Sequence, residues 1–203
     1  MARATWFCVD IECAGPVPGL YDMVSLGAIV VGGGDGQPFT IGDRFYAEIR
    51  PTAPHMDPRA MAVNGLDFDR LLIEGKPLED VLRSLTSWVE ENTVTGSSPV
   101  FVGHNAPFDW SFVNHGYHAH GLPNPFGYKA LDTKALASGV LDLHWFDSHK
   151  EALAERLVLP PVEADKVHRA DYDAWYQAHI LIGLLTLQAA SPRPIPPAAR
   201  ERS

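Results

Sequence analysis

The sequence predicts an α/β domain built on a mixed sheet, and two observations carry that prediction. Three β-rich stretches follow one another within the first 51 residues, separated mainly by turn residues. From about Val100 onward, short apolar runs alternate with segments of helical periodicity. Strands in succession predict an antiparallel meander, and strand–helix alternation predicts parallel strands joined through helices. A chain of 203 residues is long enough to bury one substantial core.

Taken in order, "ATWFCVDIE" (4–12) predicts a buried strand. "MVSLGAIVV" (Met23–Val31) predicts a second, rich in β-branched residues. "GGGDG" (Gly32–Gly36) predicts the turn after it, because repeated glycine reaches positive φ without steric cost. "RFYAEIRP" (Arg44–Pro51) alternates polar and apolar residues, the pattern of a half-exposed third strand. "DPRAMAVNG" (Asp57–Gly65) predicts a short helix with Asp at its N-cap, Pro at its first position and Gly after its end. Leu78, Val81, Leu82, Leu85 and Val89 recur at helical spacing in "PLEDVLRSLTSWVEEN" and predict an amphipathic helix. A short strand follows at Val100–Val102, then a Gly-His-Asn turn and a helix from about Ala106. "YKALDTKALASG" predicts a strand and a helix capped by Asp132 and closed by Gly139, and "DSHKEALAERL" a further short helix. The longest helix lies in "HRADYDAWYQAHILIGLLTLQ", with Ala174, Ala178, Leu181, Ile182 and Leu185 on its apolar face. Residues 1–190 therefore read as one domain, and the proline-rich stretch 191–203 as a disordered tail.

Composition narrows the function. Hydrophobic residues make up 46% and charged residues 20%, an ordinary soluble composition, and no apolar run reaches the length of a membrane span. The N-terminus lacks the layout of a signal peptide. Cys8 and Cys13 stand too close along an extended segment to bridge comfortably, so free thiols and a cytoplasmic location are expected. The net charge of −9 argues against a protein that grips long duplex through many phosphates. Lys129, Lys134, Lys150, Arg156, Lys166 and Arg169 concentrate in the last third, either as scattered solvated charges or as a short phosphate track.

Against that background, Asp10 and Glu12 stand out. Side chains two apart on a strand share a face, so the two carboxylates converge and each disfavours ionisation of the other. Hard divalent cations, which prefer oxygen ligands, would offset the repulsion. Asp109, in the first turns of a helix after a short strand, and Asp173, near the start of the longest helix, supply carboxylates from other directions. His168 lies five residues before Asp173, and an imidazole with its ordinary pKa near 6.5 suits proton abstraction near neutrality.

These segments make the chain similar to the DEDDh (DnaQ-like) 3′→5′ exonucleases, through "VDIECAG", "GHNAPFDWSFV" and "HRADYDAWYQ" in that order. The resemblance implies a ribonuclease H-like fold: a five-stranded mixed sheet, antiparallel meander then parallel strands, flanked by helices. It implies that Asp10, Glu12, Asp109 and Asp173 bind two divalent cations, Mg²⁺ or Mn²⁺, and that His168 is the general base. Asp171 is a decoy, since the family's spacing of His to Asp selects Asp173. Cys13, Ala14, Asn105 and Phe108 are implied as contacts of the terminal nucleotide, although the family often has a small or hydroxyl residue where Cys13 stands. The implied reaction is removal of 5′-mononucleotides from single-stranded DNA or RNA 3′ ends, with homodimerisation and polymerase association left open. The alternative is a non-catalytic nucleic-acid-binding or polymerase-associated module on the same fold.

Other features carry less. His115, His118 and His120 cluster, but no cysteine lies nearby and their spacing matches no usual zinc pattern. His104 and His179 read as structural. The five tryptophans, including Trp110 and Trp175, read mainly as core, with Trp110, beside Asp109, the one to watch as a base-stacking ring. "GGGDG" lacks the Lys-Ser/Thr and helix of a phosphate-binding loop.

Overall fold

In a computed structural model of the chain, residues 4–34, 36–53 and 55–190 are described. The tail expected over 191–203 lies outside them. Five strands, β1 (Ala4–Cys13), β2 (Met23–Gly34), β3 (Gln37–Glu48), β4 (Ser98–Gly103) and β5 (Ala130–Asp132), form one sheet in the order β3-β2-β1-β4-β5. β1 runs antiparallel to β2, and β2 to β3; β1–β4 and β4–β5 are parallel. This is the mixed sheet that the strand pattern predicts.

The two faces of β1 take different partners because side chains alternate. Phe7, Val9 and Ile11 pack with Val81, Leu82, Leu85 and Val89 of α3 (Leu78–Asn92) and Phe112, Val113 and Tyr117 of α4 (Ala106–Ala119). Cys8 faces the other way and packs with Val102 and with Ala174, Ala178 and Leu181 of α7 (Ala170–Ala190). Asp10 and Glu12 continue that second face toward the end of the strand. α7 is buried on a further side, where Tyr176, Ile180 and Leu184 meet Ala137 of α5 (Thr133–Leu141) and Leu153 of α6 (Lys150–Arg156). Burial on both sides explains the small alanines on the sheet side, where the helix approaches closely. At Gly27 the approach is closest: a Cβ there would overlap the backbone of Ala170 and Asp171.

Sequence and structure part at a few boundaries. β3 begins at Gln37, seven residues before the predicted Arg44, because it is an edge strand whose first half is largely exposed and carries Pro38 and Gly42. The glycines Gly32–Gly34 extend β2 instead of forming the predicted turn. α5 runs through Gly139 and closes at Asp142, which takes the left-handed φ of 54°. A helix not predicted, α2 (Phe68–Glu74), follows α1 (Pro58–Asn64); Asp67 caps it by accepting the Arg70 N–H. A single 3₁₀ turn spans Trp145–Asp147. Among the described residues, no helix is long and apolar enough to cross a membrane.

Candidate active site

The site forms where β1 outruns its parallel neighbour. β1–β4 pairing is recorded as far as Cys8↔Val102, so Ile11 presents its N–H beyond that ladder. Asp109 fills the gap: its Oδ1 accepts the Ile11 N–H at 3.1 Å. One bond thereby fixes the first turns of α4 against the strand that carries Asp10 and Glu12. The start of α4 is held from behind by Asp132, whose Oδ1 accepts the N–H of Asn105 at 2.8 Å and of Ala106 at 3.3 Å.

Asp173 enters from the first turn of α7. Its Oδ2 accepts the backbone N–H of His168 at 2.8 Å. That bond gives a physical reason for the five-residue spacing, because it closes the loop before the helix onto the helix's own carboxylate. His168 holds φ at 65°, a conformation that costs a non-glycine residue free energy and concentrates at functional sites. Its imidazole is solvent-exposed, and ligand-capable atoms of Glu12, His168 and Asp173 all lie within 4.8 Å of one another.

Gathering acids this way has an electrostatic cost. Burial pushes the Asp10 carboxyl well above its usual range, and Asp109, Asp173 and Glu12 push it further, against the pull of Lys150. Burial, then Asp173 and Asp109, raise Glu12 from 4.5 to about 8. Burial raises Asp109 to about 7, even though the Ile11 N–H favours its ionised form. The four acids therefore form one interacting set, which the sequence anticipates.

Two members of the site were not anticipated. Lys150, the first residue of α6, places its Nζ 2.6 Å from Asp173 Oδ1 and 3.9 Å from Asp10 Oδ1. Burial alone would lower its pKa, but the carboxylates of Asp10, Asp173 and Asp109 outweigh burial and raise it. Gln177 is fully buried and donates from Nε2 to Asp10 Oδ1 at 2.6 Å. Its spacing from Asp173, one helical turn on, was a readable signal; Lys150 stood out in sequence only as one of the basic residues of the last third, not as a partner of the acids. The donor set, carboxylate oxygens with one imidazole, suits hard divalent cations, and an ammonium already sits between two of those carboxylates.

Asp171 does not join the set: its carboxylate pairs with Arg44 at 2.9 Å and Arg169 at 3.5 Å. Phe108, 36% exposed, lies on α4 with its ring 5.4 Å from Phe112. Asn105 takes φ 68° at the α4 N-cap. Cys13 ends β1 at a register shift, and Ala14 follows it. Their carbonyls accept from Asn64 and Asp57, and the Ala14 N–H donates to Asp22. Burial raises the Cys13 thiol to about 11, while Cys8 is buried and pushed higher still. The Trp110 ring is half-buried and packs edge-on against Phe101, in keeping with the reading of the tryptophans as mainly core residues. His104 Nδ1 meets Thr133 Oγ1 at 2.9 Å, a structural role as expected. Among the described residues, His115, His118 and His120 form no metal-ligating group.

Residues 7–181 match the family model described as Exonuclease. A 3′-5′ DNA exonuclease of Escherichia coli, Cap18, is 36% identical over 172 residues, covering 85% of this chain and 87% of that protein. The nuclease domain of 3′hExo, a DEDDh family member solved bound to rAMP, superposes with a TM-score of 0.72 at 13% identity, over 90% of this chain and 92% of that one. E. coli Exonuclease I in complex with a dT13 oligonucleotide superposes at 0.69 with 16% identity, over 92% of this chain and 42% of the longer enzyme. With the acid set in place and the match spanning most of the domain, the chain belongs to the exonuclease family, as a 3′→5′ exonuclease.

Proposed function

We propose that the protein hydrolyses the terminal phosphodiester of single-stranded DNA 3′ ends in a two-metal site, releasing 5′-mononucleotides, with His168 as general base. The observation that carries this reading is the meeting of Glu12, His168 and Asp173 within 4.8 Å, at the side of an acid set that burial alone disfavours. Asp10, Glu12, Asp109 and Asp173 would hold Mg²⁺ or Mn²⁺; bound there, divalent cations polarise a phosphate and acidify water. The exposed imidazole of His168 takes the proton from the attacking water, whose oxygen forms the new bond to phosphorus as the P–O3′ bond breaks. The shortened strand keeps a 3′-hydroxyl. Asp173 has two tasks, since one oxygen anchors the His168 backbone while the other meets Lys150. Gln177 holds the Asp10 carboxylate in one orientation. Cys13, Ala14, Asn105 and Phe108 are proposed to receive the terminal nucleotide beside the acids.

DNA is favoured because the 36%-identical relative is named a DNA exonuclease, and a single strand because Exonuclease I was solved with an oligonucleotide. Digestion of a 5′-labelled oligonucleotide tests the reading. The parent should give a ladder shortening from the 3′ end. The Asp10→Asn variant should lose activity by about three orders of magnitude or more, and His168→Ala by about two to four, the usual contribution of a general base. Undiminished cleavage by either variant would overturn the assignment.

A further inference from the structure

Beside the site, on the segment between α5 and α6, lies a set of exposed aromatic and basic side chains that the catalytic reading leaves unused. Phe146 is 73% exposed and Trp145 40% exposed, within a single 3₁₀ turn. Their rings meet edge-on at 5.1 Å, and the His144 ring stacks on Phe146 at 5.6 Å with 21° between planes. Lys134 places its Nζ 4.0 Å from the centroid of the Trp145 ring. Neighbouring aromatics held in place by a cation and an imidazole, yet left open to water, are unusual on a surface that has no use for them.

The set is fixed close to the chemistry. Asp132 Oδ1 accepts the Lys134 N–H at 3.1 Å as well as the N–H groups of Asn105 and Ala106, so one carboxylate ties the Lys134 turn to the helix start that carries Asp109. On the other side, Lys150 lies four positions after Phe146, and its Nζ is 2.6 Å from Asp173. Four residues span at most about 14 Å, a reach of a few nucleotides at most.

We propose that Trp145 and Phe146, with Lys134 and His144, form a stacking platform for the single strand a few nucleotides 5′ of the nucleotide being removed, beyond the reach of a dinucleotide. The proposal rests on the exonuclease reading of the acid site. Bases stack on exposed aromatic rings whatever their identity, while nearby cations meet the phosphates, so the platform holds single-stranded nucleic acid without reading sequence. It also provides the local positive charge that a chain of net charge −9 does not advertise overall.

The test compares kcat/KM for a thymidine dinucleotide with that for an oligothymidylate of about eight nucleotides, within the site sizes of single-strand binders. Trp145→Ala and Phe146→Ala should each cost the longer substrate about tenfold, the expected loss of one base stack, with the loss in KM rather than kcat. The dinucleotide should lose much less, so the length preference collapses, and Trp145→Tyr should restore it. Anisotropy of a labelled oligothymidylate bound in EDTA gives the same comparison without turnover and should show the same weakening. Equal losses on both lengths, or none on either, would overturn the platform. A parent inactive on both substrates would overturn the exonuclease reading instead.

Discussion

Without metal, stability should fall as pH rises across the range where Glu12 and Asp109 ionise. Glu12 is raised from 4.5 to about 8 and Asp109 from 3.8 to about 7. A carboxyl whose folded pKa lies above its unfolded value contributes its full stability below the unfolded pKa and loses it as pH rises through the folded one. At about 1.4 kcal/mol per pH unit, the Glu12 displacement corresponds to roughly 5 kcal/mol, accruing between pH 4.5 and about 8. Asp109 feels the same surrounding charges, so its contribution is not independent and the two do not simply add. For a domain of this size, about 2–4 °C of Tm accompanies each kcal/mol, which places the fall near 10–20 °C. Differential scanning fluorimetry in EDTA, repeated with Mn²⁺ present, measures it. Manganese should flatten the fall, because cations favour the ionised acids. The variant Glu12→Gln should flatten it too, melting above the parent at pH 8 in EDTA. A metal-free Tm that stays level or rises from pH 4.5 to 8, or a Glu12→Gln variant that melts no higher than the parent, would refute the reasoning.

Other substitutions probe separate parts of the account. Lys150→Met removes the ammonium between Asp10 and Asp173, so the metal-free Tm should fall and the Tm gain on adding Mn²⁺ should grow, both read by fluorimetry. Gln177→Leu should lower kcat about 10–100-fold while preserving most of the melting temperature, because it frees the Asp10 carboxylate. Gly27→Ala forces the start of α7 away from β2 and should cost about 1–3 kcal/mol by urea denaturation, together with a loss of kcat as Asp173 shifts from Asp10. Asp171→Asn should retain most nuclease activity where Asp173→Asn abolishes it, since only Asp171 is committed to Arg44.

The parts of the molecule legible in sequence are those where one local rule dominates. α3 shows its apolar stripe because it is a surface helix with one buried side. The acids Asp10 and Glu12 are conspicuous because a buried strand gives no ordinary reason for carboxylates on one face. The start of β3 was hidden because an edge strand needs neither alternation nor the absence of proline. Gly139 misled because a helix tolerates one glycine when a left-handed residue, here Asp142, closes it a turn later. Lys150 was invisible as a site residue for a different reason: its place depends on where a short helix docks, 140 positions after Asp10 in the chain. The platform at Trp145 and Phe146 has no periodicity at all, and only exposure in the folded chain separates it from core aromatics.

The central claim is that Asp10, Glu12, Asp109 and Asp173 form a centre for divalent cations. Diffraction from manganese-soaked crystals at the manganese absorption edge tests it most directly. The account predicts two anomalous peaks among these four carboxylates, with Lys150 Nζ moved off Asp173. No peak among the four acids, or manganese bound only elsewhere such as the histidines at 115, 118 and 120, would contradict it.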